Sequence, residues 1–412
     1  MEPYVKEQIR YGLKYVPANI IKSYFIPKKN EETIRMRDKG FICGVCHPSD
    51  NYELVKEACI RWIRNDVPYP FEKDGMTVSQ DFINYKERCT RFKENGLKVM
   101  TVTPIPRAFL EHGLDSRQPG DRAEIQRVIV FILEELRDCI GGIQISNEMG
   151  LPRFTHPLST RESATFLGIQ LEALAPVKGD IIVGYNCAGP SADLIHYMEP
   201  YNQYCDYIGV DVYLGCFFNA PGFFWIFRAL NRYFWSMTGK PVLMEEFGYI
   251  STGKPKTKKE KKAVLAKYGM KSEKDARLHP AELVERLNPT SRDYVKQLTD
   301  SNVSRYFDFV FKSDFNSHFY TELPPLTKIP GCEHTPEGQA NFYRKVLKIF
   351  HDTPYVIGTI VYCWADSDKC YVCGQSDCPV ETSWGLVDCN EKPKPSYYAV
   401  KEFFNTIKRF EL

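Results

Sequence analysis

Short apolar runs rich in β-branched residues alternate with longer amphipathic stretches along most of the chain. Each run has the length of a buried strand, and the stretch after it carries apolar residues three and four positions apart, which is the period of a helix. The predicted strands are residues 41–47, 60–67, 97–105, 141–147, 180–187, 207–213, 241–247 and 356–364. The best-marked helices are predicted at residues 79–95, 121–140, 335–350 and 394–409.

Eight strands that alternate with helices predict an α/β fold with a parallel sheet, and eight such units close into a (β/α)8 TIM barrel. A doubly wound open sheet is the alternative. It usually has a glycine-rich turn after its first strand, and residues 43–47 (CGVCH) do not form one. The sequence therefore favours the closed barrel.

Two segments stand outside the repeating pattern. Residues 1–40 are predicted to be an N-terminal helical extension packed on the base of the barrel, and residues 41–412 to be the catalytic barrel. Residues 250–334 form a long insertion between strands seven and eight, and we interpret its basic run at 254–262 as a solvated loop. Insertions after barrel strands lie on the catalytic face, so we expect this one to border a substrate cleft.

Composition narrows the classes of partner. The 412 residues are 43% hydrophobic and 26% charged, with a net charge of +2, which gives no electrostatic preference for nucleic acid or an acidic membrane. No run reaches the roughly 18 apolar residues of a membrane span. The N-terminus lacks the apolar core of a signal peptide, so we expect a cytoplasmic protein unless such a peptide has been removed. The oligomeric state stays open.

Two predicted strands end in glutamates. The fourth ends in Asn147 and Glu148, and the seventh in Glu245 and Glu246. Barrel enzymes carry their chemistry at the C-terminal ends of the strands, and strands four and seven face each other across the mouth. Glycoside cleavage needs two carboxyl groups, which lie about 5 Å apart in a retaining enzyme. The sequence therefore predicts a carbohydrate substrate and a catalytic carboxyl pair.

These strand ends resemble the signature of clan A, the large clan of retaining glycoside hydrolases, and the resemblance extends from about residue 41 onward. In that clan the Asn, here Asn147, hydrogen-bonds the 2-hydroxyl of the sugar. The Glu after it, here Glu148, is the acid/base, and the Glu that ends strand seven, here Glu246, is the nucleophile. The resemblance thus implies a retaining β-glycosidase that needs no cofactor.

Longer motifs point to different families within the clan. Residues 143–150 (IQISNEMG) are similar to the acid/base strand of the β-galactosidase families, whereas residues 241–248 (PVLMEEFG) are closer to β-mannanases and their cellulase relatives. Residues 384–388 (WGLVD) and 392–398 (KPKPSYY) resemble the end of many clan barrels. The clan is indicated and the family is not, so the substrate is a β-mannoside, a β-glucoside or a β-galactoside.

Glu245 competes with Glu246 for the role of nucleophile. Strand alternation places Met244 and Glu246 on one face and Glu245 on the other. The clan motif places its nucleophile directly before an aromatic residue and a glycine, which selects Glu246. Glu245 is then expected to point toward the helix layer and to need a buried partner.

Four further residues complete the predicted substrate site. Arg64 matches the clan arginine that keeps the nucleophile ionised, with a pair to a neighbouring acid as the alternative. Tyr213 closes strand six, where the clan often has a Tyr that donates to the nucleophile, although a core Tyr is equally expected. Trp364 resembles the Trp that floors the sugar subsite. His47 ends strand one and can contact a hydroxyl, whereas a lone His is more often structural.

The cysteines offer a second chemistry. Cys370 and Cys373 are separated by two residues, and Cys378 follows. Such a group can hold structural zinc, but a zinc motif normally shows a second pair of cysteines or histidines. We therefore interpret them as free thiols and predict no metal, with zinc as the alternative. The other scattered cysteines are expected to be reduced thiols.

Two other function classes fit the sequence less well. A metal-dependent barrel hydrolase needs a His-x-His pair at the end of strand one and further histidines at later strand ends, and only His47 is present. A non-catalytic carbohydrate-binding barrel normally loses one of the two glutamates, and both are retained. It remains the alternative to the enzyme.

Overall fold

A computed structural model of the chain describes residues 3–25, 30–217 and 222–408. Eight parallel strands pair in chain order, and the eighth pairs with the first, so the sheet is a closed barrel, as predicted. The strands are β1 Ile42–Cys46, β2 Trp62–Asp66, β3 Lys98–Val102, β4 Ile140–Ile145, β5 Ile182–Ala188, β6 Tyr207–Val212, β7 Val242–Phe247 and β8 Val356–Val361.

Helices surround the barrel, and the four best-marked ones occur where the sequence predicts them, at Gln80–Glu94, Arg122–Leu136, Pro336–His351 and Pro395–Asn405. The helices are α1 Pro3–Ser23, α2 Glu31–Lys39, α3 Tyr52–Glu57, α4 Gln80–Glu94, α5 Pro106–Glu111, α6 Arg122–Leu136, α7 Pro152–Thr155, α8 Thr160–Leu174, α9 Ala192–Tyr197, α10 Phe224–Thr238, α11 Lys258–Lys267, α12 Glu273–Leu278, α13 Pro280–Arg286, α14 Pro289–Leu298, α15 Val303–Lys312, α16 Phe315–Tyr320, α17 Pro336–His351, α18 Pro379–Thr382 and α19 Pro395–Asn405. Short 3₁₀ turns occupy Pro119–Asp121 and Glu199–Tyr204.

Side chains fill the barrel interior, so it is a packed core and not a channel. The inner cluster is composed of Met36, Ile42, Cys46, Trp62, Met100, Ile182, Tyr207, Leu243, Ile357 and Ile360. Large side chains in this cluster face glycines on neighbouring strands. A Cβ on Gly142 would lie 2.6 Å from the methyl carbon of Met100, and one on Gly184 would lie 2.7 Å from the ring of Tyr207. The glycines make room for the larger side chains.

The N-terminal extension is helical, but the prediction that it packs on the base is wrong for its first helix. Helix α1 lies along α9 and α10 on the side of the barrel, and Gln8 donates to the carbonyl oxygen of Gly150, just beyond β4 (3.0 Å). Within the described part of the extension, it is α2 that covers the base, where Met36 closes the inner cluster and Arg37 donates to the carbonyl oxygens of His351 and Val356. Tyr11 of α1 packs edge-on against Tyr197 of α9, a contact between surface helices that a strand-centred pattern does not anticipate.

The insertion at 250–334 folds into helices α11–α16 and packs against the loop that follows β8. Asn288 and Ser291, at the start of α14, both donate to the carbonyl oxygen of Cys373 in that loop (2.8 and 3.2 Å). The insertion therefore lies on the face where the strands end, as expected. No helix in the described ranges is long and apolar enough to cross a membrane.

Candidate active site

Glu246, near the end of β7, lies at the centre of a buried polar cluster at the mouth of the barrel. Arg64 on β2 donates from Nη1 to Oε1 of Glu246 at 2.5 Å, and the hydroxyl of Tyr213 donates to Oε2. The side chain of Arg64 is 1% exposed and that of Glu246 is 9% exposed, so the ion pair is shielded from water. Both oxygens of Glu246 thus accept hydrogen bonds, as an ionised carboxylate does. The structure places Arg64 and Tyr213 together on the predicted nucleophile.

The same guanidinium orients Asn147. Arg64 donates from Nη2 to Oδ1 of Asn147 at 2.7 Å, and the amides of Gln144 and Asn186 donate to that oxygen at 3.2 and 3.1 Å. Three donors around one oxygen fix which way the Asn147 amide faces. Its Nδ2 makes no bond within the described residues and is left to donate to a ligand hydroxyl. This geometry fits the predicted contact with a sugar.

Glu148 stands on a backbone that the end of β4 holds in an uncommon conformation. Ser146 and Glu148 have φ angles of 54° and 45°, in the left-handed region that non-glycine residues rarely adopt. The side chain of Thr103 accepts from the amide of Ser146 at 2.9 Å, and Oδ1 of Asn186 accepts from the amide of Glu148 at 2.7 Å. Backbone strain of this kind costs about 1–3 kcal/mol per residue and persists where surrounding contacts determine it. The backbone of Glu148 is therefore held in place at the rim of the barrel.

The electrostatic environment of Glu148 favours its neutral form. Burial, followed by the charge of Glu246, raises the pKa of the Glu148 carboxyl to about 8, although Arg153 and Arg64 act in the opposite direction. Glu148 is 8% exposed. The two carboxyl groups thus differ at neutral pH, because Glu148 holds a proton while Glu246 accepts from a cation and a phenol.

Asn186 and Asp211 were not predicted, although they join the two halves of the site. Nδ2 of Asn186 donates to Oδ2 of Asp211 at 2.6 Å, while Oδ1 of Asn186 holds the amide of Glu148. Burial and the charge of Glu246 raise the pKa of Asp211 well above its usual range. Both residues lie near the ends of their strands, β5 and β6. A polar residue at the end of a barrel strand is the sequence signal that points to them as site residues.

Glu245 does not point toward the helix layer, so that expectation is wrong. Its Oε1 accepts from Tyr207 at 2.6 Å, and a Cβ on Gly209 would collide with Oε2, so the side chain occupies the barrel interior. The pairing of β6 with β7 shifts register, from Val210 with Met244 to Asp211 with Glu246. This bulge interrupts strand alternation and brings both glutamates to the inner side. The predicted need for a buried partner is met by Tyr207.

The assignment of Trp364 to the sugar site is wrong. Its side chain is 0% exposed, its Nε1 donates to Ser49 at 3.1 Å, and its ring packs on Tyr397. Strand β8 ends at Val361, three residues earlier than predicted, so the aromatic residue that reaches the mouth is Tyr362. Its half-buried ring lies 5.6 Å from that of Tyr213.

Two other aromatic rings and His47 border the mouth. Trp384 is buried behind Tyr213, with ring centroids 5.0 Å apart, and the half-buried ring of Phe217 lies 5.4 Å from Tyr213. His47 is exposed at the end of β1, with its ring edge toward Tyr362 and its Nε2 3.9 Å from Asp66. A contact from His47 to a sugar hydroxyl stays a prediction.

The buried pair of Arg64 and Glu246 gives a prediction on stability. Removing one partner of a buried pair leaves an uncompensated charge and costs about 3–5 kcal/mol. We expect Arg64→Met to lower the free energy of unfolding by that amount in urea titrations at pH 7. Adding Glu246→Gln to this variant should restore part of the loss, since the stranded charge is then gone.

Arg305→Met is the matched control, because Arg305 pairs with Asp300 at 3.0 Å on the surface and such pairs contribute about 1 kcal/mol or less. Equal losses in the Arg64 and Arg305 variants would contradict the burial argument.

Glu245 gives a prediction on pH dependence. Burial raises the pKa of its carboxyl from 4.5 to about 7, against the effects of Arg64 and the bond from Tyr207. A carboxyl whose folded pKa is raised stabilises the fold below its unfolded pKa, and this contribution disappears as the pH rises through the folded value. As the pH rises from 4.5 to 8, we expect the free energy of unfolding of Glu245→Gln to increase by about 3 kcal/mol relative to that of the wild type, measured by urea unfolding. Glu134→Gln, at an exposed position, is the control. A difference in the free energy of unfolding between the Glu245 variant and the wild type that stays constant across this pH range would contradict the prediction.

Comparison with known proteins supports the fold. No family model and no curated relative matches the sequence. Among solved structures, a family 39 glycoside hydrolase from Bacteroides cellulosilyticus WH2 is similar with a TM-score of 0.54 and 13% identity, over 89% of this chain and 64% of that one. The GH53 catalytic domain of Ignisphaera aggregans gives 0.54 and 16%, over 88% and 96% of the two chains.

A GH2 β-galacturonidase from Eisenbergiella tayi is similar with a TM-score of 0.51 and 12% identity, over 90% of this chain and 52% of that one. The chain thus spans less than two thirds of the family 39 and GH2 structures and nearly all of the GH53 domain. At these identities the likeness establishes a barrel shared with glycoside hydrolases.

Proposed function

We propose that the chain is a retaining β-glycoside hydrolase that acts by double displacement. The observation that carries the proposal is the unequal environment of the two carboxyl groups at the barrel mouth. Glu246 accepts from Arg64 and Tyr213, whereas burial and the charge of Glu246 raise the pKa of Glu148 to about 8. A pair that holds one anion and one proton at neutral pH is what the first step of this reaction needs.

In the first step the carboxylate of Glu246 attacks the anomeric carbon and the bond to the leaving oxygen breaks. Glu148 gives its proton to that oxygen as it departs. Esterified Glu246 no longer carries a charge, so the largest of the charges that raise the pKa of Glu148 is removed and Glu148 becomes a base. In the second step Glu148 takes a proton from water, the water oxygen attacks the anomeric carbon, and Glu246 leaves as a carboxylate.

Other residues at the barrel mouth would bind the sugar. The amide of Asn147, oriented by Arg64, donates to the 2-hydroxyl of the sugar, a contact that strengthens in the transition state. The half-buried rings of Tyr362 and Phe217 provide aromatic faces beside the anomeric centre. The substrate class is a β-linked glycoside or oligosaccharide, and β-mannoside, β-glucoside and β-galactoside are the first candidates. The β-galacturonidase among the structural neighbours adds β-uronides to the test.

A panel of nitrophenyl β-glycosides that covers these sugars tests the proposal. We expect turnover of at least one, and proton NMR of the first product formed should show the β-anomer, because two inversions retain the configuration. A first-formed α-anomer would overturn the retaining mechanism. Sugar binding without turnover on any glycoside would instead favour the non-catalytic carbohydrate-binding barrel.

The cysteines support a second proposal, that the protein works in a reducing compartment such as the cytoplasm. None of the fourteen forms a disulfide, although thirteen of them occupy buried or half-buried positions in the barrel and its loops. Mass spectrometry of alkylated protein from its native source should find every thiol unpaired.

A further inference from the structure

Four metal-binding side chains meet at a place that lies apart from the carboxyl pair. They are His318 on α16 and Cys370, Cys373 and Cys378 in the loop after β8. All four are buried, and their donor atoms lie within 4.8 Å of one another. Nδ1 of His318 is 3.5 Å from the sulfurs of both Cys370 and Cys378. Sequence spacing alone had favoured free thiols, because the fourth donor lies in another part of the chain.

We propose that these four residues bind a structural zinc ion. Three thiolates and one imidazole are a donor set of tetrahedral zinc sites. With Zn–S bonds of about 2.3 Å and a Zn–N bond of about 2.0 Å, tetrahedral geometry places sulfur and nitrogen about 3.5 Å apart, which matches the two distances to His318. Four protein donors leave no open position, so the ion serves the fold and not the chemistry.

The backbone around the cysteine pair supports the proposal. The amide of Cys373 donates to the sulfur of Cys370 at 3.3 Å, and such bonds stabilise thiolate charge. Gly374 follows with φ of 68°, in the left-handed region, and its amide donates to the carbonyl oxygen of Cys370 at 2.7 Å. The tight turn directs both sulfurs of the pair toward His318.

The zinc ion would join two segments that lie on opposite sides of β8 in the sequence. His318 belongs to the insertion, and the cysteines belong to the loop after β8, 52 to 60 residues away. That loop also carries Tyr371, whose hydroxyl accepts from Arg153 at 2.7 Å, and Arg153 lies near enough to Glu148 for their charges to interact. The metal would therefore hold the loop that carries Tyr371, and through it Arg153, from outside the reacting centre.

Elemental analysis of the full chain, purified without metal-affinity steps, tests the proposal. We expect about one equivalent of zinc per chain, retained in dialysis and released to 4-(2-pyridylazo)resorcinol only after the thiols are blocked. Cys378→Ser should lose the metal and lower the Tm by about 5 °C or more. Cys332→Ser, which removes a buried thiol of the insertion that is not in the cluster, should keep both zinc and Tm.

Two measurements separate a metal site from a packing role of the same side chains. His318→Cys should keep zinc where His318→Ala releases it, since a fourth thiolate completes the tetrahedron. Wild-type protein reconstituted with Co²⁺ should show the absorption of a tetrahedral thiolate complex. Less than a tenth of an equivalent of metal, together with no cobalt spectrum, would overturn the proposal, and so would a disulfide among Cys370, Cys373 and Cys378 in peptide maps.

Discussion

Replacing Glu246 with alanine should reduce kcat on a good nitrophenyl substrate by a factor on the order of 10⁵, comparable to the loss of a nucleophile in other covalent mechanisms. The reason is that Glu245, the other described carboxyl group on β7, is fully buried in the barrel interior and bonded to Tyr207. Azide should restore turnover, because it fits the space that the carboxylate leaves. The product should be the α-glycosyl azide, since a single displacement inverts the β-configuration. Product NMR and initial rates with and without azide measure both effects.

Glu245→Gln is the matched control for this experiment, since it removes the neighbouring carboxylate while keeping its shape and its bond from Tyr207. We expect it to keep activity within about tenfold of the wild type. The opposite pattern, with an active Glu246→Ala and an inactive Glu245→Gln, would transfer the role of nucleophile to Glu245.

The strands and the acid pair could be predicted from sequence because both depend on local rules. Parallel barrel strands all end at one rim, so a carboxylate that follows an apolar run is placed at the mouth without any knowledge of tertiary contacts. Glu148, Glu246 and Arg64 follow from that rule together with the motif around them. The ion pair between Arg64 and Glu246 brings Arg64 to the predicted nucleophile, and its role in keeping that group ionised stays a prediction.

The errors arise where a non-local contact changes local geometry. Strand alternation misplaced Glu245 because the bulge opposite Val210 and Asp211 depends on how β6 pairs with β7, which neither strand reveals alone. Trp364 was misplaced because β8 stops at Val361, so Tyr362 takes the position at the mouth. His318 could not be linked to the cysteines, because it lies on a helix of the insertion and only the fold brings it to Cys370.

Replacing Glu148 with alanine should produce a different signature, which depends on the leaving group. General acid catalysis contributes a factor of about 10²–10⁴, so we expect a loss of that size with poor leaving groups. With dinitrophenyl glycosides the loss in the first step should be much smaller, because dinitrophenolate departs without a proton. The second step lacks its base, and azide should therefore accelerate release of the glycosyl group and form the β-glycosyl azide. Steady-state rates across a series of phenols, with product NMR, measure this.

The pH profile identifies which state of Glu148 is active. Burial and the charge of Glu246 raise its pKa to about 8, and the first step needs the protonated form. The wild-type kcat/KM should therefore stay constant up to about pH 8 and decrease at higher pH. Glu148→Ala should lack this basic limb of the pH profile with dinitrophenyl substrates. Arg305→Met, which changes a surface ion pair outside the carboxyl cluster, should keep the wild-type profile. A basic limb that persists unchanged in Glu148→Ala would assign the proton to another group, and Asp211 would then be the carboxyl to replace next.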